Sequence, residues 1–278
     1  MRPDVLRRGV LVGLLALMAV PFVFPTWWMI TSSFKPMSEI VGTPPTMWPH
    51  TFTVQPYLDA FRTQPLARQY WNSVYIGVVV TAGTIVICSM AGYALARIRF
   101  RFANVVFLVL LTGVMVPPEV TIVPLFRMVR AAGLIDTHVP LIVIPMIGAP
   151  SVIGTFIMRQ FFLSLPVELE EAARLDGLGP WGIFWRIAFP LARPAVGAVA
   201  IIVFLRSWNS YLEPLVYLTS KEKFTLPLAL TQYRDNYGQL VWNTQLAATT
   251  LTVIPVLIVF LFAQKQFVQG LAQTGLKG

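Results

Sequence analysis

Charge is what this sequence has least of. Of 278 residues, 12% are Asp, Glu, Lys or Arg, roughly half the share of an ordinary soluble domain, while 56% are hydrophobic and the mean hydropathy is +0.69. A water-soluble globular fold is therefore excluded, and the solvent for most of the chain is lipid. Acidic residues are scarcer still, 12 against 21 basic ones, for a net charge of +9. In a soluble protein that excess points to nucleic acid. In a membrane protein it points to Lys and Arg on cytoplasmic loops, and nucleic acid drops out as a partner. The single cysteine, Cys88, excludes an internal disulfide and, set in an apolar run, reads as packing. The two histidines, His50 and His138, lie far apart, and no Cys/His cluster has metal-ligand spacing, so no catalytic metal is expected. A GxxxxGK[ST] phosphate loop is absent, so the chain is expected to be neither an ATPase nor any other enzyme, and to carry no cofactor itself. Gly177 to Gly182 matches GxGxxG literally, but a charged helical segment precedes it and Pro180 sits inside it. A dinucleotide fingerprint needs a buried strand there.

What is present is length between charges. A helix needs about 20 apolar residues to cross a membrane. Charge-free stretches of 26 (9–34), 28 (69–96), 17 (102–118, apolar on to Phe126), 22 (137–158) and 29 (236–264) positions meet or approach that need. A sixth, from Pro194 to Leu218, is interrupted by Arg206 and Glu213. The expected fold is an all-α integral membrane protein, one transmembrane domain over 1–278 with six transmembrane helices. The spans are 9–31, 71–96, 102–127, 138–159, 194–218 and 243–264. The first has the basic start of a signal peptide, Arg2, Arg7 and Arg8, but runs into Pro25, Trp27 and Trp28 without a small-x-small cleavage pattern, so it reads as retained.

Placing both termini in the cytoplasm of a bacterial-type inner membrane puts 12 basic residues inside and 8 outside, with Arg206 inside a span. The bias is clearest in the short run Arg97-Ile98-Arg99-Phe100-Arg101. The external stretch 32–70 holds Pro36, Pro44, Pro45, Pro49, Pro56 and Pro65, and reads as an extended, packed loop with short helical pieces. The external segment 219–242 is polar enough to meet a soluble partner. Spans three and four carry Pro117, Pro118, Pro124, Pro140, Pro145 and Pro150 and are expected to kink where protein or water satisfies the freed carbonyls.

The most informative segment is the polar island 160–191. It holds Glu168, Glu170, Glu171 and Asp176, four of the chain's 12 acids. Ser164 or Leu165 can cap a helix with Pro166 in its first turn, and the three glutamates suit its positive end. Gly177 can end it in the left-handed conformation, and Pro180 can open a second short helix that Pro190 stops. The pair reads as a cytoplasmic helix-turn-helix between spans four and five. Ala172 and Ala173 beside Trp181, Phe184 and Trp185 suggest a docking surface rather than a plain loop.

Glu171-Ala172-Ala173, three residues, Gly177, nine residues, then Ile187-x-Phe189-Pro190 resembles the EAA motif of ABC importer permeases, EAA-x3-G-x9-I-x-L-P, with Phe189 for the usual Leu. Ser33-Phe34-Lys35, Asn72-Ser73, Ala91-Gly92-Tyr93-Ala94-Leu95-Ala96-Arg97, Pro124-Leu125-Phe126, Trp208-Asn209 with Pro214-Leu215, and the terminal Gly275-Leu276-Lys277-Gly278 resemble, in the same order, the carbohydrate-uptake branch, the MalG-like permeases.

The resemblance implies alternating-access import of a sugar or sugar-like solute, with the island as a coupling helix docked on a separate ATPase dimer. Glu171, Ala172, Ala173, Asp176, Gly177, Ile187 and Pro190 would carry that docking. It also implies ATP and Mg²⁺ bound by those partner subunits, a second related permease, an extracytoplasmic binding protein, and Lys277 and Gly278 near the ATPases. An autonomous carrier or channel is the alternative. It would need intramembrane carboxylates and no docking helix, and Glu119 and Glu213 are the acids available for it.

Arg206, about 12 residues past the start of its span, lies roughly 18 Å into the membrane. Glu213, seven residues on, and Glu119 are its possible partners. Arg206, Asn209, Glu213 and Glu119 are the candidate translocation path, with an internal ion pair between Arg206 and Glu213 as the competing reading.

Overall fold

The computed structural model describes residues 3–235 and 237–275, with side chains from 11 to 258 apart from 236. Every regular element among them is helical; the only strand-like pairing is an isolated antiparallel bridge between Arg234 and Leu240. The first helices are α1 (Pro3–Ser32), α2 (Met37–Val41) and α3 (Gln55–Thr63), followed by the 32-residue α4 (Leu66–Arg97). Next come α5 (Ala103–Val114), α6 (Pro118–Ala131), α7 (Val139–Ile147) and α8 (Ala149–Ser164). The island forms α9 (Glu168–Leu175), α10 (Pro180–Ile183), a π-turn over Phe184–Ala188 and α11 (Phe189–Leu191). Last are α12 (Arg193–Trp208), α13 (Leu212–Tyr217), α14 (Leu226–Leu230) and the 34-residue α15 (Trp242–Gly275).

Three helices among the described residues are long and apolar enough to cross a membrane, Leu11–Ser32, Leu66–Arg97 and Val139–Ser164, and bent pairs raise this to five. The segment expected as one kinked span over 102–127 forms two helices, α5 and α6, that are apolar enough together to be one span but are bent by 95°. Pro117 and Pro118 are the reason: each lacks an N–H and pushes its predecessor out of the helical region. The segment expected over 194–218 likewise does not run through. α12 stops at Trp208, Asn209 turns its side-chain amide back onto the Leu205 carbonyl at 2.8 Å, and α13 begins at Leu212.

By contact the chain forms two compact units, Met1–Ala67 with Ala229–Ile254, and Arg68–Leu228 with Pro255–Gly278. In the first unit Lys35 is fully buried. Its Nζ donates to the Thr46 carbonyl at 2.6 Å and sits 4.3 Å from the Trp28 ring centre. Burial lowers its pKa, with Glu39 opposing. Tyr57 Oη lies 2.7 Å from Ser33 Oγ, Phe34 stacks on Phe52, and Tyr233 Oη donates to the Ala60 carbonyl, so the proline-rich stretch is packed down.

In the second unit α4 and α8 meet at backbone distance. A Cβ on Gly92 would lie 2.8 Å from Met158 Cβ and 2.9 Å from Arg159 N, and one on Gly154 would lie 2.9 Å from Cys88 Sγ. Cys88, Met158, Phe162 and Val199 are buried there, so α4, α8 and α12 share one core.

Candidate coupling segment and membrane cavity

The island is seated on the ends of α4 and α8 by one buried charge pair. Arg97, the last residue of α4, places Nε 3.0 Å from Glu170 Oε1, and its Nη2 donates to the Leu165 carbonyl at 2.6 Å. Arg174 adds a looser contact to Glu170 Oε2 at 3.8 Å. Glu170 lies in the first turn of α9, as expected, and is also a buried anchor. Tyr93, Phe162 and Phe184 pack beneath it with ring centres 5.2–6.5 Å apart.

Ser164 and Leu165 do not cap the next helix. Ser164 closes α8, its hydroxyl donating to the Phe161 carbonyl, and α9 begins later, at Glu168. Gly177 ends α9 as its sequence position suggests. At φ +83° it donates to the Arg174 carbonyl, and Leu178 N donates to the Ala173 carbonyl, both at 3.0 Å, the paired bonds of a Schellman turn. No neighbour lies within 4 Å of where its Cβ would be, so the constraint is conformational, not steric.

Pro190 does not stop the second helix. The backbone widens into the π-turn ahead of it, where Phe189 N reaches back five residues to the Phe184 carbonyl, and the chain turns only at Ala192, where α12 leaves bent by 75°. A wider turn relieves the clash between a proline ring and the carbonyl one turn earlier.

The residues expected to dock differ in exposure. Glu171, Ala172, Asp176 and Gly177 are exposed, and Ile187 and Pro190 are half-buried. Ala173 is 2% exposed and points into its own chain, because the 3.6-residue period turns it inward when Ala172 faces out. The most prominent apolar groups on that surface are Leu175, 90% exposed, and Trp181, 64% exposed. Leu175 escaped the sequence reading, though its place directly before Asp176-Gly177 was the available signal.

The candidate path residues converge. Glu119, Arg206, Asn209 and Glu213 all line one cavity of about 1420 Å³ in the second unit. Three backbone interruptions line it too: Val114–Pro118, Ile147–Pro150 and Asn209–Leu212. Broken backbone at membrane depth is tolerated where it borders protein or water. Arg206 and Glu213 are not ion-paired; no carboxylate of a described residue lies within 4.0 Å of Arg206, and Glu213 Oε2 instead accepts from Ser210 Oγ at 2.7 Å. The helix break at 209–211 separates them, which removes the one-helix spacing that suggested a pair.

A family model described as "Binding-protein-dependent transport system inner membrane component" matches residues 83–273. The chain belongs to that family. It is 38% identical to an arabinooligosaccharides transport system permease protein, AraQ, of Halalkalibacterium halodurans, over 95% of this chain and 94% of that one. It is 35% identical to a lactose transport system permease protein, LacG, of Rhizobium radiobacter, over 97% and 95%. Its fold matches a chain of a bacterial ABC transporter that imports the acidic polysaccharide alginate, with TM-score 0.81 and 22% identity, over 95% of this chain and 98% of that one.

Sequence reasoning missed one further cluster in this permease. Asp136, at φ +57°, accepts from Thr219 N, Ser220 N, Ser220 Oγ and Lys223 Nζ. Burial opposes its charge, but those bonds together hold the carboxyl well below the usual carboxylate range. His138 joins Tyr75 Oη to the Lys223 carbonyl. Asn72 donates to the Glu222 and Phe224 carbonyls, and Ser73 Oγ accepts from Leu226 N, so Asn72-Ser73 of α4 fastens the 219–226 stretch. That half of the segment expected to meet a soluble partner is packed into its own unit. Its signal is faint, because the partners lie some 80 and 150 positions apart in sequence. Of the tail motif, Lys277 and Gly278 lie outside the described residues.

Proposed function

We propose that this permease moves a sugar or sugar-like solute into the cytoplasm as the membrane subunit of an ATP-driven importer. The observation that carries the reading is the island's construction: a short helix pair anchored from behind by Arg97–Glu170 and presenting Glu171, Ala172, Leu175, Asp176 and Trp181 outward. A free-standing carrier has no use for such a surface, and an ATPase-driven subunit needs one.

In this reading a separate ATPase dimer binds ATP and Mg²⁺ and pulls on the island as it closes. The rigid link through Glu170 to the end of α4 and through Tyr93, Phe162 and Phe184 to α8 passes that movement to the helices around the cavity. The chain performs no covalent chemistry. Six spans with both termini in the cytoplasm, a second related permease completing the path, and an extracytoplasmic binding protein delivering the solute make up the working unit in the bacterial inner membrane. Relatives named for arabinooligosaccharides and lactose support the sugar class. Glu119, Arg206, Asn209 and Glu213 form this subunit's wall of the path.

The test is reconstitution of the complete complex in proteoliposomes. Sugar uptake is expected to require ATP and to vanish in Glu171→Lys/Leu175→Asp while the chain still inserts. Uptake by this permease without any ATPase overturns the reading.

A further inference from the structure

We infer that the cavity selects an uncharged, polyhydroxylated solute over an acidic one, and that Glu119 and Glu213 enforce the choice while Arg206 serves as a hydrogen-bond donor rather than as an anion site. The inference rests on the sugar-importer reading and narrows its substrate class.

The charged residues of the cavity lining are Glu119, Arg206 and Glu213, two carboxylates and one guanidinium, which leaves one formal negative charge. An unpaired arginine facing a cavity usually invites an anion. Here its charge is already answered locally. Arg206 lies in the last turn of α12, where the helix's own carbonyl ends are negative. Glu119 lies in the first turn of the 14-residue α6, at a positive end, and Glu213 is held by the Ser210 hydroxyl at 2.7 Å. A carboxylate entering this space meets one cation and two acids, each set at a helix end of opposite sign, so the balance left is the one formal negative charge.

A sugar hydroxyl, which both donates and accepts, is matched on both counts: acceptors at Glu119 and Glu213, donors at Arg206. Tyr211, 41% exposed in the same lining, supplies an aromatic group of the kind against which the C–H side of a pyranose or furanose packs.

The experiment uses the complete transporter, permeases with their ATPases and binding protein, in nanodiscs. The probes are a panel of neutral di- and trisaccharides and their uronic-acid counterparts, and the readout is solute-stimulated ATP hydrolysis. Neutral members are expected to stimulate about tenfold more than acidic ones at equal concentration. Glu213→Gln, and independently Glu119→Gln, should narrow that gap by raising the acidic response, whereas Arg206→Gln should weaken the neutral response without admitting acids.

Acidic sugars stimulating the parent complex as well as neutral ones overturn the inference. So does a gap unchanged in both glutamine variants that still assemble, since the choice then lies outside this cavity. A complex deaf to every saccharide of either charge overturns the sugar reading itself.

Discussion

Arg97 and Glu170, 73 positions apart, face each other at 3.0 Å in a largely buried ion pair that joins the end of a long membrane helix to the first turn of α9. Removing one member of such a pair strands the other charge, which costs roughly 3–5 kcal/mol. Glu170→Ala is expected to loosen residues 165–190, seen as faster amide exchange there, and to lower ATP-dependent uptake severalfold. Arg97→Met/Glu170→Leu, which removes both charges, should restore much of the exchange protection. Unchanged exchange in Glu170→Ala would contradict the anchor role.

Leu175 and Trp181 stand clear of their own chain, so changing them leaves the fold alone. Leu175→Asp and Trp181→Ala are expected to keep the melting temperature of the isolated permease while reducing co-purification of the ATPases at least tenfold, a loss of about 1.4 kcal/mol or more.

Gly92 marks the closest approach of α4 to α8. A methyl group there must displace the backbone of Arg159, whose N would lie 2.9 Å away. Gly92→Ala should therefore destabilise the second unit by about 1–3 kcal/mol, read as a lowered melting temperature in detergent. Gly177→Ala faces no such neighbour and should cost less, about 1 kcal/mol, through its positive φ alone.

Asp136 gives a pH signature. Its folded-state pKa is depressed, so the stability it contributes is fully present above the ordinary carboxylate pKa, roughly 3.9, and is lost as pH falls through and below that value toward the folded pKa. Asp136→Asn, which tolerates the positive φ, is expected to cost about 1 kcal/mol at pH 7, near the low end because the Lys223 side chain is 41% exposed. Melting curves from pH 7 to 3 should show a constant gap between parent and variant down to about pH 5 and a shrinking one below.

Much of the island 160–191 was legible because its instructions are local. Gly177, Pro180 and the glutamates act within a turn or two of their own positions, and the EAA spacing lies within 20 residues. The burial of Glu170 went unseen, and Ala173 was misjudged as exposed, because burial is decided by what lies against a helix. The same residues on a lone amphipathic helix would both have been surface.

Charge spacing and the positions of proline and glycine act along the chain, so the sequence was enough to mark a lipid-solvated, helical chain with a polar island at 160–191 and to single out Glu119, Arg206, Asn209 and Glu213, which line one cavity. Tertiary structure alone decided that Glu119 joins Arg206 and Glu213 on one cavity, that Arg97 meets Glu170, and that Asp136 gathers the 219–223 stretch. Those outcomes depend on distances between residues remote in sequence, which are set by the packing of helices and which no local pattern records.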